Sequence, residues 1–459
     1  MKKVHFLGIG GSGASAAAAI AKAYGFEVSG CDLEPNNEFT LHIGSVKLSQ
    51  GHSASHLKSG NVDILAVTPA IYSLDPNNPE LLEAKGGEIP ILTWQEFMGK
   101  YLMKDKFVIA VCGTHGKTTT TAMIAKILED AGLDPTVELG TIVPWWKANY
   151  RISSRHSERS EESHDSKSRD LSLITRDDKK GFFLVEADEF NDNFLATSPD
   201  ISVVTNIEMD HPEYFQDFDS YKDSFKKFLE STKQTIVANL SDPVVTEILN
   251  VHPKGGNITL DYSKKPIDFS LEIPGEFNRW NASAAYQVGL LLGISPQTIQ
   301  KSLSNYPGIG RRFEYIGEYH PSTSSGQVGA KVYSDFGHHP TEIKTTMQAA
   351  REKFPKNRII LIYQPHMFSR TKALFDDFVK VFKELPVDKI IITDIYPSRE
   401  VDTGLVTSKQ LVEAVGSSNL VYHTKDQIIP MLKHHVQSGD IIFFMGAGDI
   451  DKIAKQLVG

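Results

Sequence analysis

Twice in this chain a short apolar run breaks into a glycine-rich turn and then into a helical pattern. The first is Val4–Leu7 followed by Gly8-Ile-Gly-Gly-Ser-Gly13. The second is Phe107–Val111, the loop Cys112-Gly-Thr-His-Gly-Lys-Thr-Thr-Thr-Thr121, and the helical run Ala122–Leu128. An apolar strand that feeds a helix through a tight turn belongs in a parallel sheet with helices over both faces. The alternation returns near Arg358–Tyr363, Lys389–Thr393 and Asp440–Met445. An α/β fold with mostly parallel sheets is therefore expected.

A chain of 459 residues has room for about three domains. The polar stretch Lys100–Lys106 and the turn Gly308–Arg312 mark the breaks. The expected division is 1–104, Rossmann-like; 105–310, built like a P-loop ATPase; and 311–459, again Rossmann-like. Inside the middle domain, Ser153–Asp170 contains no apolar residue. It cannot feed a core, so 153–179 reads as a solvated surface insertion. His320–Gln327 reads as a shorter one. The balance of 48 basic against 57 acidic residues leaves no surplus to neutralise a nucleic acid. Two cysteines, Cys31 and Cys112, form no disulfide framework and suit a reducing compartment. No apolar stretch is long enough to insert in a membrane, so a cytoplasmic location is expected.

Each glycine-rich turn has phosphate chemistry. Gly8, Gly10 and Gly13 fit G-x-G-x-x-G, and Asp32 ends the next strand-like run. Gly10, Gly11, Ser12 and Gly13 would let backbone N–H groups approach a diphosphate at a helix start. Asp32 would accept from a ribose or a base. The plain alternative is a glycine turn packed under a helix. The second loop is a compressed form, G-x-x-G-K-T, spanning Gly113, Thr114, His115, Gly116, Lys117 and Thr118, with Thr119 following. Its N–H groups can form an anion nest. Lys117 can reach β- and γ-phosphates, and the Thr118 hydroxyl can ligate Mg²⁺. A helix cap would account for one threonine but not for the lysine and two glycines. Two phosphate loops imply two nucleotides, which a nicotinamide oxidoreductase would not need.

The second loop resembles that of the Mur ligases, the ATP-dependent amide-forming enzymes of peptidoglycan precursor synthesis. Further stretches follow in that family's order: "EADE" (186–189), "TNIEMDH" (205–211), "GEFNRWNA" (275–282), "GRRF" (310–313), "DFGHHPTEI" (335–343), "QPHMFSRT" (364–371) and "MGAGDI" (445–450). The set is most similar to the branch that adds L-alanine to UDP-N-acetylmuramate, releasing ADP. The resemblance implies ATP and Mg²⁺ as cofactors and a first domain that takes the UDP-sugar. It makes Glu186 and His211 metal ligands and, with Lys117, catalytic. From the residues alone, His211 is a hydrogen-bonded loop histidine, since Mg²⁺ prefers oxygen. Asp188, Glu189 and Asp210 are weaker metal candidates. By resemblance Asn278 and Asn281 lie at the adenine, Arg312 at the phosphates and Asp335 at the ATP ribose. His339, His366 and Arg370 would contact the amino acid. Met367 stands where the alanine-adding branch has arginine, which suggests a carboxylate clamp missing one half. The stretch 68–80 departs from the family's serines at Thr68-Pro69. A ligase of the same family joining a tripeptide, an oxidoreductase and a non-catalytic nucleotide-binding module remain alternatives, and monomer or homodimer stays open.

Overall fold

A computed structural model describes residues 1–58, 61–154, 181–251, 258–320 and 329–459. Nearly all of the expected insertions at 153–179 and 320–327 therefore lie outside the described residues. Three sheets carry the fold. The first contains β1 (Lys3–Leu7), β2 (Glu27–Asp32), β3 (Lys47–Gln50), β4 (Ile64–Val67) and β5 (Ile91–Thr93), in the order β3-β2-β1-β4-β5. All its pairings are parallel. The second contains β6 (Phe107–Cys112), β7 (Thr136–Val143), β8 (Ala148–Arg151), β9 (Phe182–Glu186), β10 (Ile201–Val204), β11 (Thr235–Ala238) and β12 (Ile258–Asp261). Its order is β12-β11-β10-β6-β9-β7-β8, with only β7–β8 antiparallel. The third contains β13 (Glu314–Tyr319), β14 (Ala330–Asp335), β15 (Ile359–Tyr363), β16 (Lys389–Ile392), β17 (Leu420–Tyr422) and β18 (Ile441–Met445). Here the order is β13-β14-β18-β15-β16-β17, and β13–β14 is the antiparallel edge.

The expected class, α/β on mostly parallel sheets, is what forms. The strands are buried because helices cover both faces: every residue of β4, β6, β10 and β15 is buried. That is why they read as continuous apolar runs rather than alternating ones.

Two compact units result, one of Met1–Met209, Asp217–Ser270 and Trp280–Tyr306, the other of Asp210–Gln216, Leu271–Arg279 and Pro307–Gly459. The first unit holds the first two sheets. Helix Ser12–Ala23, which follows the first glycine turn, packs against β7 and β8 of the second sheet. Asn149 donates to Ser12 C=O at 2.5 Å, and the Tyr24 and Thr136 hydroxyls lie 3.0 Å apart. Seven alanines in that helix keep its surface small enough for this close approach. In the first sheet, β1 has β2 on one side and β4 on the other. In the second, β6 has β10 on one side and β9 on the other. Both glycine loops thus leave strands where the sheet order reverses, the position at which open parallel sheets form a crevice. Among the described residues, no helix is long and apolar enough to cross a membrane.

Candidate active site

The loop between β6 and helix Lys117–Asp130 is braced from outside. Thr114 N–H donates to Asn206 C=O and His115 N–H to Asn206 Oδ1, both at 2.9 Å. Thr205 Oγ1 donates to His115 C=O at 2.6 Å. The Thr114 hydroxyl donates to Glu208 C=O, and the His115 ring meets the Glu208 carboxylate at 2.9 Å. The expected nest over 113–118 is thereby narrower, because Thr114 and His115 have committed their N–H groups to Asn206. The amides at the helix start, from Gly116 onward, remain aimed along its axis. Gly116 opens the helix at φ +83, and a Cβ there would come within 2.4 Å of Asn281 Oδ1. Only glycine fits both demands. No threonine caps this helix, so the capping alternative is not realised.

Lys117 folds back on the loop. Its ammonium donates to Gly113 C=O at 2.6 Å and to Glu189 Oε2 at 2.8 Å. Burial alone would lower its pKa, but Glu189, Asp188 and Glu186 outweigh that and hold it above the ordinary lysine value. Glu189, expected as a weak metal candidate, is this lysine's fully buried partner and also accepts from the Tyr221 hydroxyl. Thr118 Oγ1 donates to Glu186 Oε1 at 2.8 Å, while Glu186 Oε2 accepts from Gly140 N–H. A hydroxyl and a carboxylate side by side are the hard oxygen donors that Mg²⁺ takes, so these two residues fit that ion. Glu138 on β7 was not anticipated. It is buried, and desolvation with the charges of Glu186 and Asp188 raises its pKa well above the carboxylate range. Its neutral form is thereby favoured beside Glu186. Nothing marked it in sequence, since it sits in an ordinary strand.

The first loop is built more plainly. Gly8 and Ile9 donate to Cys31 C=O at 2.9 and 3.1 Å. Asp32 accepts from Gly10 N–H at 2.9 Å and from Glu34 N–H at 3.0 Å, so it shapes the loop it was expected to assist. Gly13 lies on the Trp94 indole, where a Cβ would meet ring carbons at 2.2 Å.

In the second unit, Arg370 is buried, with Nε on Asp210 Oδ1 at 2.9 Å and one terminal nitrogen 3.0 Å from His366 Nδ1. Asp210 is therefore Arg370's counter-ion rather than a metal candidate. Because a guanidinium only donates, His366 Nδ1 accepts, and the ring proton sits on Nε2. Burial lowers the His366 pKa to about 2 and that of His338 to about 3, so both rings are neutral. His211 Nδ1 lies 3.1 Å from Glu213, which Arg399 also contacts. His339 begins helix Pro340–Lys353, its Nδ1 accepting from Thr341 N–H. Asp335 accepts from Phe313 and Gly337 N–H groups, both at 2.8 Å. Arg312 lies over the Phe336 ring at 4.7 Å. Asn278 donates to Pro274 C=O at 2.6 Å, a local role at the start of its helix. Met367 is fully buried, with its sulfur 3.9 Å from Arg370, so the side chain packs beside the guanidinium and supplies no second donor.

Three family models match the chain in sequence: the Mur ligase family catalytic domain over residues 3–106, the Mur ligase middle domain over 111–265, and the Mur ligase glutamate ligase domain over 311–448. A UDP-N-acetylmuramate–L-alanine ligase of Aquifex aeolicus is 34% identical over all of this chain and 97% of its own. One of Acetivibrio thermocellus is 35% identical over 100% and 96%. Among solved structures, the UDP-N-acetylmuramate–alanine ligase of Thermotoga maritima aligns with a TM-score of 0.74 at 26% identity, over 100% of this chain and 98% of that one. With full-length relatives above 30% identity and three successive models covering its length, this chain belongs to the Mur ligase family.

Proposed function

We propose that the protein is an ATP-dependent amide ligase that joins L-alanine to UDP-N-acetylmuramate in peptidoglycan precursor synthesis. The observation that carries this reading is a pair of glycine-rich loops in one unit, one of them bearing a largely buried lysine whose charge is sustained by Glu189. Full-length similarity to relatives that bear this activity in their names supports the substrates.

Both reactants are anions, so charge is the first obstacle. Lys117 offers a fixed positive charge to the β- and γ-phosphates, and the amides from Gly116 to Thr119 donate to them. Thr118 and Glu186 would hold Mg²⁺, which when bound offsets phosphate charge. His211 is assigned to a second ion by the family resemblance. Asn278 and Asn281 serve the adenine, Arg312 the phosphates and Asp335 the ribose. The loop 10–13, with Asp32, takes the UDP-sugar. A lactyl carboxylate oxygen attacks the γ-phosphorus, the bond to ADP breaks, and an acyl phosphate forms. The amine of alanine then attacks the carbonyl carbon. A proton leaves the nitrogen, and phosphate departs with the bridging oxygen. His366 presents its Nε2–H as a neutral donor suited to the amino acid's carboxylate, while Arg370 and His339 complete that subsite. ATP, a nucleotide sugar and two unpaired thiols fit the cytoplasm.

Phosphate release tests the reading. It should require UDP-N-acetylmuramate and L-alanine together, with glycine and serine weaker. Release without the sugar nucleotide, or only with a tripeptide in place of alanine, would refute it.

A further inference from the structure

We propose that His5, Cys31, His56 and Glu80 form a second, buried metal site, of the mixed nitrogen, sulfur and oxygen kind that suits Zn²⁺. None of these four side chains has a part in the ligation chemistry above. His5 is in β1, in register with Ser29 of β2, and Cys31 follows two residues on. Strand alternation puts all three on one face of the sheet. Two short helices bring the remaining groups: Ser55–Lys58 supplies His56, and Pro79–Gly86 supplies Glu80. Glu80 is fixed by Asn78, whose side-chain oxygen accepts its N–H at 3.0 Å. One donor atom from each of the four lies within 4.8 Å of the others. Bonds of about 2.0–2.3 Å to a shared ion need only a modest contraction of that set.

A second observation points into the same space. His5 Nε2 and Glu80 Oε2 are 3.0 Å apart and buried, yet neither has a hydrogen-bond partner of acceptable geometry. The opposite side of each group is well held. His5 Nδ1 faces Ser29 Oγ at 2.8 Å, the kind of outer partner that orients a histidine ligand. Glu80 Oε1 accepts from Ser53 N–H at 2.9 Å and from the Cys31 thiol at 3.1 Å, and lies 3.0 Å from His56 Nδ1. His52 Nδ1 stands 3.3 Å from the sulfur as a further neighbour.

The charges balance. Burial would raise the Glu80 pKa, but His5 and Cys31 hold it down at about 2, so a carboxylate sits in the interior. One Zn²⁺, one thiolate, one carboxylate and two neutral imidazoles sum to zero. On binding, the zinc–sulfur bond replaces the sulfur–hydrogen bond, and the thiol proton leaves to solvent with any histidinium proton. Burial and Glu80 keep the free thiol protonated, and a bound cation reverses that preference. The His56 side chain is 19% exposed, which gives an ion a route from solvent. Four protein ligands make this a closed, structural site. Its place matters, because Cys31 C=O holds the first two amides of the loop 8–13. An ion there would stiffen the floor of the UDP-sugar loop.

Full-length protein, stripped with a chelator and titrated with Co²⁺, tests this. The expected result is a thiolate-to-cobalt charge-transfer band with visible bands of tetrahedral strength, displaced by Zn²⁺. Cys31→Ser should abolish the band, and Cys112→Ser should leave it. Co²⁺ at the oxygens of Thr118 and Glu186 gives no thiolate band, so the two sites separate. His56→Ala should weaken Co²⁺ by more than the roughly 10–100-fold typical of losing an outer partner. That variant also covers the case in which Cys31→Ser fails to fold. No thiolate band in folded wild-type protein, a band that survives Cys31→Ser, or unchanged affinity in His56→Ala would overturn the proposal.

Discussion

Lys117 is at once a catalytic charge and half of a buried ion pair, and the two roles can be separated. Removing it strands Glu189, which is fully buried. A buried charge left without its partner costs about 3–5 kcal/mol, softened here by the Tyr221 hydroxyl. Lys117→Met should therefore lower the melting temperature as well as cut turnover by roughly 10²-fold or more. Adding Glu189→Gln should recover most of the stability and none of the turnover. A double variant that regains activity would place the lysine's importance in folding. Residue chemistry was legible where a motif concentrates it, as at 113–118, and illegible where partners are distant. Glu189 as a counter-ion, Glu138 as an acid of raised pKa and Asp210 as the partner of Arg370 all depend on which segments the fold brings together. Met367 shows the converse: a substitution that looks like a lost contact in the sequence is a packed side chain in the fold.

Among elements, the strands were legible because burial on both faces makes them uniformly apolar. The brace at 205–208 was not. "TNIE" follows β10 and reads like ligand chemistry, yet most of its hydrogen bonds hold the loop 113–116, about ninety residues away in sequence. Insertion boundaries were similarly obscure. Ser153 and Ser154, counted by composition with the polar insertion, bond to Asp134: both hydroxyls and the Ser154 amide donate to one carboxylate oxygen. These contacts, together with the Arg151 guanidinium on the other oxygen, lower the Asp134 pKa to about 2 against the upward push of burial. An excision should begin after Ser154. Deleting 155–170 removes no apolar residue, so the melting temperature should stay close to wild type. Extending the cut to Ser153 should lower it, because Asp134 then loses these donors. A large loss from the shorter deletion would mean that the segment packs.

Across the whole molecule, three sheets place glycine loops at two strand-order reversals of one unit, and the sequence motifs foretold the loops but not the reversals. The central claim is that these loops serve a single ligation through an acyl phosphate. In that sequence one carboxylate oxygen of UDP-N-acetylmuramate ends in the released phosphate. The direct measurement uses sugar nucleotide labelled with ¹⁸O in its lactyl carboxylate, ATP and L-alanine, with mass spectrometry of the inorganic phosphate. One ¹⁸O atom should pass into each phosphate formed from fully labelled carboxylate, matched by loss of one from the amide product. Phosphate free of label, with amide nonetheless produced, would contradict it.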